Sequence, residues 1–170
     1  METNANDNKW ANRVAWALQV GVAVLFLQTL FFKLTYAPAT QVIFGDIGGR
    51  AAATFTALVE LVVALLLLPG GAWVLGRVLP AKLAGLKTAA PAVGALLAIG
   101  VLGGAIVTHL AVIGVVLPVA PGSEATDGGS LFAMAVGMAV ASAVVLVLRR
   151  DRVKALIATL SPSGEAAAVA

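Results

Sequence analysis

Four long apolar runs, 14–34, 51–68, 91–117 and 131–148, are separated by short segments that hold most of the charge. A helix needs about 20 predominantly apolar residues to cross a hydrocarbon core of about 30 Å. A chain in lipid must satisfy its own backbone, which restricts it to helices or closed barrels, and runs of this length fit helices. Of the 170 residues 61% are hydrophobic and 11% charged, with a mean hydropathy of +1.02. An ordinary soluble domain has about 25% charged residues. The expectation is an all-α membrane protein, an antiparallel four-helix transmembrane bundle with no separate soluble domain.

The segments between the runs read as connectors. Residues 1–13 read as a short disordered polar N-terminal tail ending in Lys9 and Arg13. Ala37-Pro38-Ala39 has the small-residue form of a signal-peptidase site, but the run before it is longer than a secretory h-region and ends on Lys33, so an uncleaved first span is expected. The 33–50 loop carries the turn formers Pro38, Gly45, Gly48 and Gly49. Pro69-Gly70-Gly71 stops the second run, and the 69–90 connector mixes Trp73, Arg77, Pro80 and Lys82 with aliphatics. Pro91 suits the first turn of the third span. Residues 121–130 form a polar loop. In 149–170, Arg149, Arg150, Arg152 and Lys154 lead into Val153, Leu156, Ile157 and Leu160 at helical spacing, the pattern of a basic amphipathic helix on an anionic membrane face, followed by a frayed tail.

Charge placement sets the expected orientation. Of the 11 basic residues, Lys9, Arg13, Arg77, Lys82, Lys87, Arg149, Arg150, Arg152 and Lys154 fall on one side, and Lys33 and Arg50 on the other. The positive-inside rule then puts both termini in the cytoplasm. The net charge of +3 reports topology and gives no reason to expect nucleic acid.

Glu60 is the ionisable residue inside the second run. A charged side chain at bilayer depth costs roughly 2.5–3.5 kcal/mol on insertion scales and is tolerated where it faces protein or water, so Glu60 is a functional candidate by default. Gln28 interrupts the first run and His109 the third. From the outer span ends, helical rise puts Gln28, Glu60 and His109 at depths of about 9, 14 and 12 Å. Side chains tilt toward a helix's N-terminus, so Lys33 leans back into the membrane while Glu60, on an oppositely directed span, leans up toward it. Small residues mark close helix contacts. Ala53, Ala57, Glu60 and Ala64 share one face of span two, with Thr56 a turn before the acid; Gly100, Gly104 and Thr108 make a stripe beside His109; Gly21, Leu25, Gln28 and Phe32 align in span one.

Each residue also has a structural reading. Lys33 alone fits an interfacial anchor whose stem snorkels, and Gln28 an interhelical strut. Histidine is the side chain whose unperturbed pKa lies closest to neutrality, so His109 fits a structural donor or a proton carrier equally well. Glu60 is the residue for which a purely structural role is an expensive choice. Trp10, Trp16, Tyr36 and Trp73 read as interfacial belt residues. The sequence has no phosphate-binding glycine loop, no two-histidine metal spacing and no nucleophile-plus-base motif. With no cysteine, the chain has no thiol chemistry of its own, and a redox role requires a cofactor or a partner.

Leu30-Phe31-Phe32-Lys33-Leu34, the run from Ala57-Leu58-Val59-Glu60 to Leu68, and Gly104-Ala105-Ile106-Val107-Thr108-His109-Leu110 resemble the DoxX family of small four-helix membrane proteins over 14–148. The family's polar positions fall on Lys33, Glu60 and His109. The chain departs from the pattern in its long 76–90 connector and in the bulky Phe31 and Phe32 ahead of the lysine. The related DoxD proteins are membrane subunits of a thiosulfate to quinone oxidoreductase, and DoxX members are associated with redox and oxidative-stress systems. The resemblance therefore implies a prokaryotic inner-membrane protein supporting a quinone-linked redox process. In that reading Glu60 and His109 handle protons, Gln28, Lys33, Thr56 and Thr108 contact a quinone, and a soluble or membrane redox partner exchanges the electrons. If the chain is catalytic, it is a membrane subunit of a quinone-dependent oxidoreductase. The rival reading is a non-catalytic scaffold or assembly factor for another membrane protein. A proton or solute pathway would need polar groups on the inner half of the bundle, where the sequence offers almost none.

Overall fold

The computed structural model describes residues 5–78 and 84–160. The chain is all-α: α1 (Ala5–Thr35), α2 (Pro38–Phe44), a 3-10 turn (Gly45–Ile47), α3 (Gly49–Leu67), α4 (Pro69–Val78), α5 (Ala84–Thr108) continuing into a π-helical turn (His109–Ile113), α6 (Ser130–Leu148) and α7 (Arg150–Leu160). Among the described residues four helices are long and apolar enough to cross a membrane, over Lys9–Thr35, Gly49–Leu67, Lys87–Ile113 and Ser130–Leu148. They pack antiparallel. α1 lies against α3 and α6, and α5 against the same two, so the bundle runs α1, α3, α5, α6 around its axis.

Small and medium side chains fill the interior. Val22, Ala23, Phe26, Val63, Ala64, Leu67, Ala95, Ala98, Leu102, Ala135 and Val145 form one buried cluster. Leu and Phe side chains such as Phe31, Phe55, Leu58, Leu96 and Leu110 face outward. This reverses the arrangement of a soluble bundle for a physical reason: lipid is as apolar as leucine, so helices associate through close packing of small residues rather than through burial of large ones. Span α5 packs tightly on α3 at Gly94, where a Cβ would stand 2.9 Å from Leu66 Cβ and 3.1 Å from Leu67 N.

The segments around the spans are more helical than a reading as tails and loops implies. The polar N-terminal segment is helical from Ala5 onward, continuous with the first span. The 33–50 connector contains α2 and the 3-10 turn. It is entered through Tyr36 at φ 53 and left through Gly48 at φ 113, a left-handed conformation that suits glycine. The described part of the 69–90 connector is helix: α4, with the Arg77 guanidinium 3.5 Å over the Trp73 ring, and the first turns of α5. Pro91 lies inside α5, which is already helical two turns before it, and Ala89, Ala90 and Ala92 around it are completely buried. Proline removes one intrahelical bond, and in the same turn Thr88 O accepts from Arg152 Nη1 at 3.2 Å. α7 carries the basic amphipathic pattern, with Arg150, Arg152, Lys154 and Ile157 exposed. Lys82 and the 161–170 tail lie outside the described residues.

The expected contact faces of spans one and three are also displaced. Gly21, Gln28 and Phe32 are exposed and the buried line of α1 is Ala15, Gln19, Val22, Ala23 and Phe26. Gly100 and Gly104 are exposed, with nothing within 4 Å of a Cβ at either position. Both helices are apolar on every side, so their periodicity gives no direction for the face. α3 buries Ala53, Ala57, Glu60 and Ala64, together with Val63 and Leu67.

Candidate functional site

The end of the bundle formed by the C-termini of α1 and α5 and the N-termini of α3 and α6 contains a cavity of about 370 Å³. Small-molecule sites span roughly 300–1,000 Å³, so this is enough for a compact ligand. Phe26, Leu102 and Ala135 separate it from the packed core, while Ile43 and Phe44 of α2 and Ile47 of the 3-10 turn line it from the connector. The polar groups on its wall are Thr29, Lys33, Thr56, Glu60, Thr108 and His109, and the remaining lining is apolar.

Glu60 is buried at 5% exposure. Lys33 Nζ donates to its Oε1 at 2.9 Å and its Oε2 at 2.7 Å, and Thr29 Oγ1 lies 2.9 Å from Oε2. The opposed tilts of two antiparallel helices bring the two charges together. An ammonium has three N–H donors, so with two committed to Glu60 one remains for another acceptor. Thr56 and Thr108 donate to Ala52 O and Gly104 O, each at 2.9 Å, within their own helices. Their hydroxyls therefore present acceptor lone pairs to the cavity.

His109 occupies the start of the π-turn, buried at 5% exposure. Gly114 N donates to His109 O at 2.9 Å, and His109 Nδ1 lies 2.8 Å from Gly114 O. A carbonyl oxygen can only accept, so the ring proton belongs on Nδ1 and a neutral ring keeps its basic lone pair on Nε2. The Phe132 ring packs edge-on at 5.8 Å between centroids. π-turns of this kind are frequent at functional sites. Here the turn is followed by the 114–129 loop, which Asp127 organises: its Oδ1 accepts from Leu117 N at 2.8 Å and Gly129 N at 3.0 Å, and its Oδ2 from Leu131 N at 3.1 Å. Burial would raise the Asp127 pKa, but those backbone donors, with a smaller electrostatic contribution from the nearby His109, bring it below the usual carboxylate range.

The structure thus places Lys33, Thr56, Glu60, Thr108 and His109 on one cavity and joins Lys33 directly to Glu60. His109 lines the same cavity while its Nδ1 is engaged by Gly114. Gln28 is corrected: it is exposed on the outer surface of α1 and does not line the cavity. Thr29, one residue on, does so instead, because a step of one residue rotates a side chain by about 100° around a 3.6-residue helix. Thr29 gave no separate signal, since threonine in an apolar helix commonly bonds back to its own backbone, and its Oγ1 is also 2.9 Å from Phe26 O.

The other half of the bundle is more polar than its sequence implied. Gln19 is fully buried, and neither its Oε1 nor its Nε2 has a partner among the described residues. Ser142 is buried with its hydroxyl donating to Met138 O at 2.8 Å. Asn12 and Arg149 are joined by a bond of 2.7 Å from Nη1 to Oδ1. Gln19 and Ser142 each lie seven positions inward from that contact on antiparallel α1 and α6, hence at one level across the seam. The apolar cluster around Phe26, Leu67 and Leu102 separates this polar group from the Glu60 cavity. Comparison with protein-family models, with curated proteins and with solved structures finds no match for this chain.

Proposed function

We propose that this four-span membrane protein holds a lipid-soluble quinone in the cavity between Lys33–Glu60 and His109, as a DoxX-like component of a quinone-linked redox process in a prokaryotic inner membrane, with both termini cytoplasmic. The observation that carries the reading is an apolar cavity whose polar groups are complementary to both redox forms of such a ligand. The spare N–H of Lys33 suits a quinone carbonyl. The Nε2 lone pair of His109, and the Thr56 and Thr108 oxygens, suit the hydroxyls of a quinol. Glu60 holds Lys33 in place, and Thr29, rather than Gln28, completes the polar wall. Proton exchange then falls to His109 and Glu60. Electrons come from a partner, because a chain without cysteine has no redox side chain of the thiol type.

A second reading is favoured by one specific observation. Both Glu60 oxygens are already engaged within the protein, as they would be in a bundle whose polar contacts serve as internal glue for a scaffold. The two readings separate on lipid extraction and mass spectrometry of mildly solubilised protein. A quinone site gives near-stoichiometric quinone that Glu60→Gln reduces while the fold is retained. A scaffold gives no enriched quinone in the unmodified chain, and Glu60→Gln lowers partner recovery.

A further inference from the structure

The strongest unassigned feature lies at the opposite end of the bundle from the cavity. Arg149 stands at the elbow between α6 and α7 with 7% exposure, and a guanidinium remains charged at any ordinary pH. A buried charge is tolerated when it is paired and its donors are satisfied. Among the described residues no carboxylate lies within salt-bridge distance of Arg149, and its one acceptor is the neutral Asn12 Oδ1 at 2.7 Å. Its Nε–H is buried and has no acceptor among the described residues. The carbonyl end of α6 favours a cation through the helix dipole, yet it supplies no bond to Nε.

The surroundings add positive charge. Burial, and to a smaller degree the nearby Arg152, draw Arg149 below the ordinary arginine range. Arg13, Arg150 and Lys154 are exposed at the same end. The Trp16 ring lies 5.7 Å from the Arg149 guanidinium carbon, a pairing of aromatic face and cation suited to the level of lipid headgroups. Next to it α7 displays Ile157 at 59% exposure beside its basic residues, the surface of a helix resting on an anionic leaflet. We propose that Arg149 is the base of a binding site for the phosphate of a net-anionic phospholipid headgroup, approached between the N-terminal part of α1 and the α6–α7 elbow, with Trp16 beside it and Arg152 contributing charge.

The arginine fork matches phosphate oxygens in pairs, and a phosphate drawn in over Trp16 provides both the missing counter-charge and the acceptor that Nε lacks. The site is independent of the quinone reading, because the apolar cluster lies between the two ends.

The test uses the full chain in a zwitterionic detergent, titrated separately with phosphatidylglycerol, phosphatidylcholine and inorganic phosphate and read by native mass spectrometry and thermal melting. The expected result is retention of phosphatidylglycerol at least about tenfold above phosphatidylcholine, corresponding to about 1.4 kcal/mol. That preference should be lost in Arg149→Gln, while in Arg150→Gln, which alters an exposed charge one residue away, it changes by no more than about fivefold. Arg149→Lys, which keeps the charge but not the fork, should be intermediate. Equal retention of the two lipids by the unmodified chain overturns the proposal without recourse to any variant. So does equal loss in Arg149→Gln and Arg150→Gln, which would reduce the effect to diffuse surface charge. Protection by inorganic phosphate equal to that by phosphatidylglycerol overturns the lipid as the source and leaves a soluble anion in its place.

Discussion

Lys33 Nζ lies 2.9 Å from Oε1 and 2.7 Å from Oε2 of Glu60, so one ammonium near the end of α1 meets both oxygens of a carboxylate inside α3. The side chains are 13% and 7% exposed. Removing one partner leaves the other charged and buried, which is a larger loss than the net value of the pair. Lys33→Met is therefore expected to destabilise the solubilised protein by about 3 kcal/mol, and Lys33→Met combined with Glu60→Gln to recover a substantial part of that. Thermal unfolding of the two single variants and the double variant measures the coupling. Additive losses would show that the pair is not energetically linked.

Ala105 offers a test of cavity occupancy that leaves every polar group intact. It lines the cavity and is half-buried, so Ala105→Phe places a ring in the space assigned to the ligand. Co-purified quinone should fall several-fold while the melting temperature changes little, because the added volume enters an existing cavity rather than a close-packed core. Undiminished quinone in this variant would move the ligand elsewhere.

Asp127 predicts an acid-sensitive loop. Its pKa is lower in the folded chain than the ordinary value, so its contribution is complete above the unfolded pKa of about 3.9 and is lost as pH falls through the folded value. Amide hydrogen exchange at Leu117, Gly129 and Leu131 should lose protection on acidification below about pH 4, beyond the intrinsic pH dependence of exchange. Asp127→Asn should weaken the same protection at neutral pH, at a cost of about 1 kcal/mol, the scale of a lost helix cap. Unchanged protection in both experiments would remove Asp127 as the organiser of the 114–129 loop.

Gln19 is fully buried, with neither amide atom bonded to any of the described residues. Gln19→Met keeps nearly the same volume and discards the unpaired donor and acceptor. If the amide has no partner, the variant should gain about 1 kcal/mol or more in thermal unfolding. A loss of similar size would mean that a buried water bridges Gln19 to Ser142 across the α1–α6 seam.

The sequence by itself determined the fold class. Hydropathy is a sum over residues, and runs of the observed length have few backbone solutions in lipid, so four spans, their alternation and the basic end could be read without coordinates. Span α3 was legible down to its face, because Ala53, Ala57, Glu60 and Ala64 contrast with large neighbours, and the opposed tilts of Lys33 and Glu60 follow from helix geometry alone. Tertiary structure decided the rest. It turned α1 so that Thr29 rather than Gln28 faces the cavity, placed α2 along its wall, wound the end of the third span into a π-turn at His109, and buried Gln19 and Arg149 where composition suggested only lipid or surface. The physical reason is common to all of these. In helices apolar on every side, no hydrophobic gradient selects an orientation, and the choice falls to the fit of small residues such as Gly94 and Ala98 against neighbouring helices, which exists only once the helices are together.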